Sequence, residues 1–163
     1  MLKPSLSIKE EEGETRVIVG PVINEDMRAL MAANEMRLGK KIVFDFSEVQ
    51  MINSVGVRDW CLFMARLNSA EVIYENCSEA VILEINMVCS FKGKAIIKSI
   101  NREYECLDCR TKAIVHLNAG TDFDRGKLPE PQAVSCERCG KGSTPVTADD
   151  ELFLFLTATD KDS

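Results

Sequence analysis

With 163 residues the chain is long enough for one compact domain and a small addition, but too short for two large cores. A net charge of −6 and a pI near 4.9 deny it the basic face that coating nucleic acid or an anionic membrane requires, which leaves proteins as the expected partners. No apolar run approaches the roughly 20 residues that span a bilayer, and Met1-Leu2-Lys3-Pro4 leads into polar sequence, so a cytoplasmic protein without membrane insertion is expected.

In chain order, Ser5 to Lys9 and Thr15 to Val19 read as two strands of a hairpin around Glu12-Gly13-Glu14. A first helix follows, with Asn24 as its N-cap, Glu25 and Asp26 in the first turn, Arg37 near its end and Gly39 as its stop. Met27, Leu30, Met31 and Leu38 give that helix an apolar stripe. Lys41 to Phe46 is a short, β-rich apolar run expected as a central strand of a covered sheet. A loop from Ser47 to Ser54 leads to a second helix, about Val55 to Asn68, with Val57, Trp60, Cys61, Met64 and Leu67 at helical spacing and Arg58, Asp59 and Arg66 off that face. Ala70 to Tyr74 reads as a strand, and Asn76-Cys77-Ser78-Glu79 offers a cap with a Glu three residues on. The helix it opens runs to about Val88 and turns Ile82, Ile85, Met87 and Val88 inward. Lys94 to Glu105 is extended and leads into the first of two cysteine pairs. Beyond it, Lys112 to Leu117 reads as a strand and Asn118 to Ser135 as a long loop. Leu152 to Thr157 alternates Leu and Phe, which predicts a strand apolar on both faces and so a candidate homodimer element.

The cysteines carry the clearest chemistry. Cys106-Leu107-Asp108-Cys109 and Cys136-Glu137-Arg138-Cys139 are separated by 26 residues, and Gly140 follows the second pair. Each C-x-x-C turn lets two thiolates converge, and two such turns close a tetrahedral zinc shell. Iron, a redox-active thiol pair and four unrelated thiols are the competing readings. A long insertion between the pairs is tolerable because loop closure costs grow only logarithmically with length, and Gly140 supplies the backbone freedom a knuckle needs. Four protein ligands leave no position for water, so the zinc is expected to be structural rather than catalytic.

His116 is then surplus to the shell, and Cys61, Cys77 and Cys89 are expected to pack as small apolar residues. Between Asn118 and Ser163 nine acidic residues oppose five basic ones, so the cysteine region does not read as a nucleic-acid binder. The chain carries no G-x-S-x-G, H-E-x-x-H or Walker loop, and its single histidine finds no catalytic set around it. A non-enzymatic role is expected.

The run Ile42-Val43-Phe44-Asp45-Phe46-Ser47-Glu48-Val49-Gln50-Met51-Ile52-Asn53-Ser54-Val55-Gly56-Val57-Arg58 resembles the STAS family, the domain of anti-sigma-factor antagonists and of sulfate-transporter tails. That family has a hydrophobic strand ending in Asp, a short turn, then Asp-Ser-x-Gly opening a helix. The similarity covers about Leu6 to Ile100. It implies an α/β fold, a mixed β-sheet packed with α-helices over residues 1–102. A zinc-ribbon-like β appendage with a C-terminal strand, over residues 103–163, stands where the family has its last helix. In the antagonist branch the serine after the Asp is phosphorylated by a partner kinase that doubles as an anti-sigma factor, and the matching residue is Ser54, flanked by Asn53 and Gly56. A hydroxyl at a helix N-terminus suits a phosphate electrostatically, but it also suits simple capping. Asn53 departs from the family's Asp. Gly56 is expected to serve close packing, since no phosphate loop surrounds it. The two functional readings are a regulatory protein-binding module switched at Ser54, and a zinc-stabilised scaffold or assembly subunit without a switch.

Overall fold

In the computed structural model, which describes residues 2–157, the chain folds as a mixed α/β protein with two main sheets. β1 (Ser5–Glu11) and β2 (Glu14–Gly20) pair antiparallel. Their two-residue turn has Glu12 at φ +44° and Gly13 at φ +85°, the left-handed pair that matches strand twist. β3 (Val22–Ile23) and α1 (Met27–Asn34) lead to β4 (Lys41–Asp45). β5 (Met51–Ile52) and α2 (Ser54–Arg66) lead to β6 (Glu71–Glu75). β7 (Cys77–Ser78), α3 (Glu79–Met87) and α4 (Cys89–Lys92) lead to β8 (Ile96–Ile97). The first sheet has the order β1-β2-β4-β6-β8, parallel from β2 onward, and β3 pairs parallel with β5 beside it.

Strand alternation decides what this sheet buries. Val17, Val19, Ile42, Phe44, Val72 and Tyr74 share the face that packs into the core with Trp60, Phe63 and Phe91 from the helices. Inside it the Trp60 indole N–H donates to the Tyr74 hydroxyl at 2.9 Å, which donates to the Phe91 carbonyl at 2.9 Å, so two polar side chains enter an apolar core fully paired. Arg16, Asp45 and Glu75 alternate onto the opposite face, where Arg16 and Lys98 each reach Glu75 at 2.8 Å.

The second sheet is built on β9 (Ser99–Cys106), flanked by β10 (Lys112–Asn118) on one side and by β12 (Gly142–Pro145) and then β11 (Val134–Ser135) on the other; β7 runs parallel beside its first half. Position 102/103 lies inside β9, and the core continues through it: Ile100, Leu117, Phe123, Leu152, Phe153 and Leu156 join the same buried cluster as Phe44 and Ile82. The cysteine-bearing third is therefore packed on the rest rather than hung from it.

Several local expectations change. Leu152 to Thr157 is not a strand: it is the end of α5 (Asp149–Leu152) and a 3-10 turn over Leu154–Leu156. Asp149, Asp150 and Glu151 place three acids in the first turn, where the helix dipole favours them, and the buried residues Leu152, Phe153 and Leu156 follow helical rather than alternating spacing. Those side chains serve the chain's own core. The first helix starts at Met27 with Asp26 at the N-cap position, while the Asn24 side chain accepts from the Asp26 N–H in the turn before it, and a 3-10 turn, Glu35–Arg37, replaces its last part. Asp59 is buried, its carboxylate held by the Arg58 guanidinium at 2.9 Å. The capping box at Asn76 does not form. Asn76 is left-handed, its N–H goes to Ser99 Oγ, and Glu79 instead accepts the Glu103 N–H. Met87 and Cys89 are exposed, whereas Cys77 is buried and Cys61 half-buried.

Candidate metal centre and the first turn of α2

The two cysteine pairs form turns of matching geometry. In the first, the Cys106 N–H donates to the Thr111 carbonyl at 3.0 Å and the Arg110 N–H to the Cys106 carbonyl at 2.9 Å. In the second, the Cys136 N–H donates to the Lys141 carbonyl at 2.7 Å and the Gly140 N–H to the Cys136 carbonyl at 2.8 Å. Gly140 has φ +71°, and Arg110, its counterpart, φ +59°. The sequence pointed to Gly140 alone; laying Cys106–Thr111 over Cys136–Lys141 reveals that Arg110 takes the same left-handed position despite its side chain.

These turns bring the four sulfurs within 4.8 Å of one another. Cys106 Sγ lies 3.5 Å from Cys139 Sγ, and Cys109 Sγ lies 3.4 Å from Cys136 Sγ. A disulfide would require about 2.05 Å, whereas four thiolates at about 2.3 Å from a common centre stand about 3.8 Å apart. The spacing fits the second arrangement, and the four cysteines can bind a metal ion. Among the described residues the cluster contains no other ligand type; His116 lies on β10 with its Nδ1 against Asn101 Oδ1 at 2.9 Å.

The thiols are electrostatically unequal. The Thr111 hydroxyl, 3.2 Å away, and the Thr111 backbone N–H pull the Cys109 thiol down to about 6, so it ionises readily. At Cys139 the Lys141 N–H acts in the same direction, but the neighbouring thiols of Cys106, Cys109 and Cys136 outweigh it and raise this thiol to about 12. A bound cation would take the place of the thiol protons. One exposed ion pair, Lys141 to Asp108 at 2.7 Å, also joins the two turns, but such a pair contributes about 0–1 kcal/mol.

Burial shows how much depends on the sulfurs. From Asp124 to Val146 the buried residues are Pro129 and Cys136; the chain regains the core at Thr147. A segment with so little apolar surface to bury needs another constraint to stay ordered. The four cysteines are placed to supply it.

The second candidate is the start of α2. Asn53 is the N-cap: its Oδ1 accepts the Gly56 N–H at 2.8 Å, while its Nδ2 donates to Glu25 Oε2 at 2.8 Å. An aspartate could make the first bond but would meet Glu25 with a second negative charge, which accounts for the amide at this position. The Asn53 bond holds the Glu25 carboxyl below its usual range. Ser54 is the first helical residue and is exposed, so it does not perform the capping that the sequence left open to it. Gly56 is buried against β3: a Cβ there would stand 2.3 Å from the Ile23 carbonyl oxygen, which bears out its packing role. Past Ser54, Val55, Arg58, Leu62 and Arg66 form an exposed stripe along the helix.

No protein-family model matches the sequence, and no curated protein matches it. No helix among the described residues is long and apolar enough to cross a membrane.

Proposed function

We propose that this protein is a non-enzymatic regulatory module, similar to an anti-sigma-factor antagonist, that docks on a protein partner through α2 and is switched by phosphorylation of Ser54. The observation that carries the reading is the division of labour at the helix start. Asn53 caps the helix and Gly56 seats it, which leaves the Ser54 hydroxyl exposed in the first turn. A dianion there is compatible with the helix dipole, so the domain would keep its fold while the character of its surface reversed. The unmodified stripe offers Val55 and Leu62 to an apolar partner face, and Arg58 and Arg66, paired within the chain with Asp59 and Glu35, remain 62% and 48% exposed to an acidic rim. A phosphate on Ser54 would repel that rim. The order hairpin, parallel strands and intervening helices supports the STAS resemblance. By that resemblance the partner would be a serine kinase or a related regulator in the cytoplasm.

The cysteine centre enters this reading as a structural zinc site: four thiolates close the shell and hold residues 124–146 on β9. Metal analysis of the purified protein is expected to return about one zinc per chain. For the switch, wild-type and Ser54→Asp proteins serve as baits in affinity capture from the source cell. A partner recovered by the wild type and lost with S54D, at unchanged circular dichroism, is the expected result. Equal recovery by both baits would sink the switch.

A further inference from the structure

Two thiol contacts of 3.5 Å or less run between the two turns, while Cys139 also neighbours Cys136 in its own turn. Cys106 meets Cys139 and Cys109 meets Cys136, at 3.5 and 3.4 Å. Each contact needs to shorten by only about 1.4 Å to reach bonding distance. Cys139 is exposed while Cys106, its neighbour, is buried, so one member of that contact is open to solvent and the other waits behind it.

We propose that the centre has a second, metal-free state, in which a two-electron oxidant of the peroxide class converts the four thiols into two crosswise disulfides, Cys106–Cys139 and Cys109–Cys136. This rests on the reading of the four cysteines as one cluster. In each pair the first thiolate attacks a peroxide oxygen, forming a sulfenic acid as the O–O bond breaks and the departing hydroxide takes up a proton. The second thiolate attacks the sulfenic sulfur and expels hydroxide, which also leaves as water. Two sulfurs lose two electrons, one hydrogen peroxide gains them, and two waters form. A metal held by the thiolates departs as its unreduced cation.

The pairing decides what happens to the fold. Disulfides within each C-x-x-C turn would leave no covalent link between the turns, and residues 128–141 would depend on the exposed Lys141–Asp108 pair and the short β12 ladder that follows them on β9. Crosswise disulfides join β9 to the second turn as the metal does. The segment then survives oxidative metal loss, and with it the path by which the chain re-enters the core at Thr147.

The test begins with the zinc content of the purified full-length protein, followed by a chelator and hydrogen peroxide. Digestion without reductant then uses trypsin and a protease that cuts before aspartate. Cleavage before Asp108 and after Arg138 separates all four cysteines onto different peptides. The expected products are residues 103–107 linked to 139–141 and residues 108–110 linked to 128–138, with a loss of about 4 Da per chain, one for each thiol hydrogen. In limited trypsin digestion the oxidised protein should resist cleavage between residues 124 and 146 as the metal-loaded protein does, while the reduced, metal-free protein is cut there. Disulfides confined to each turn, or none, overturn the proposal. The metal reading is judged separately by the initial zinc content. A zinc-bearing protein that oxidises within its turns refutes the crosswise state alone. A zinc-free protein that oxidises crosswise refutes the zinc site alone.

Discussion

Replacing Gly56 with alanine asks whether the start of α2 is seated where Ser54 requires it. An added Cβ would stand 2.3 Å from the Ile23 oxygen, 2.6 Å from the Ile23 carbonyl carbon and 2.8 Å from the Asn24 nitrogen. All three are backbone atoms, and β3 is pinned by its ladder to β5 and by the Asn53 N–H donating to the Ile23 carbonyl at 3.0 Å. To restore ordinary contact the first turn must retreat by on the order of 1 Å, which overpacking data value at about 1–3 kcal/mol. That retreat also loosens the Asn53 cap, worth about 1 kcal/mol, and the bond to Ile23, worth about 1 kcal/mol. Alanine returns about 1 kcal/mol through its better helix propensity. The net expectation is a destabilisation of about 2–4 kcal/mol, read as a lower urea midpoint at constant slope. Gly142→Ala is the control, since nothing lies within 4 Å of its added Cβ, and it should stay within about 0.5 kcal/mol of wild type. A Gly56→Ala protein as stable as wild type would refute the close seating of α2 on β3 and remove the physical basis for an exposed, pre-positioned Ser54.

Two further substitutions probe the core and its junction with the C-terminal segment. Tyr74→Phe leaves the Trp60 N–H and the Phe91 carbonyl without the hydroxyl that joins them. It should lower stability by roughly 2 kcal/mol or more in urea titration, because both groups are buried away from water. Glu79 is held above the usual carboxylate range, chiefly by burial and despite the Thr147 hydroxyl and the Glu103 N–H that bond it. Its folded form binds the proton more tightly than the unfolded chain, so its contribution is full below the unfolded value of 4.5 and is lost as pH rises through the folded value. Glu79→Gln keeps an acceptor for Glu103 and cannot ionise. Its melting temperature should therefore fall less than that of wild type as pH rises from about 4.5 towards neutrality; parallel curves would show that Glu79 titrates normally.

The sequence was most legible where one short-range rule acts alone. The period of two in Thr15–Val19, the unbroken apolar run Ile42-Val43-Phe44 and the spacing of Trp60 and Met64 each reflect one buried face, and those elements form where expected. The cysteine cluster was legible for a similar reason, since each C-x-x-C turn is local and chemistry alone demands that the two meet. What failed depended on distant partners. Leu152 to Leu156 carries a pattern with two readings, and acids in the preceding turn together with Asn86, which donates to the Glu151 and Leu152 carbonyls, select the helical one. Glu79 could not be placed from its own neighbours, because Glu103 and Thr147 claim its carboxylate. Ser54 and Asn53 are adjacent and both are good caps, so the choice between them needed Glu25, 28 residues away, to engage the Asn53 amide.

The two candidate sites are coupled through shared core but not through shared stability. Residues 147–156 are held by contacts of their own: Asp149 pairs with the buried Arg102, whose guanidinium carbon lies 5.3 and 5.4 Å from the Tyr104 and Phe153 ring centroids, and Leu152, Phe153 and Leu156 fill the core beside α3. Opening the cysteine centre leaves the β12 ladder on β9 and the Val146 N–H to the Glu103 carbonyl in place, so it lengthens the loop between two anchored ends rather than detaching either, and loop closure grows by only about 0.6 kcal/mol for each doubling of length. The start of α2 draws on a different set, Ile23, Asn53 and Gly56, none of which touches a cysteine turn through any hydrogen bond described above. The arrangement therefore assigns separate work to the two sites. The cysteines confine a segment too polar to confine itself, and the first turn of α2 around Ser54 keeps its geometry whether the thiols hold metal or not.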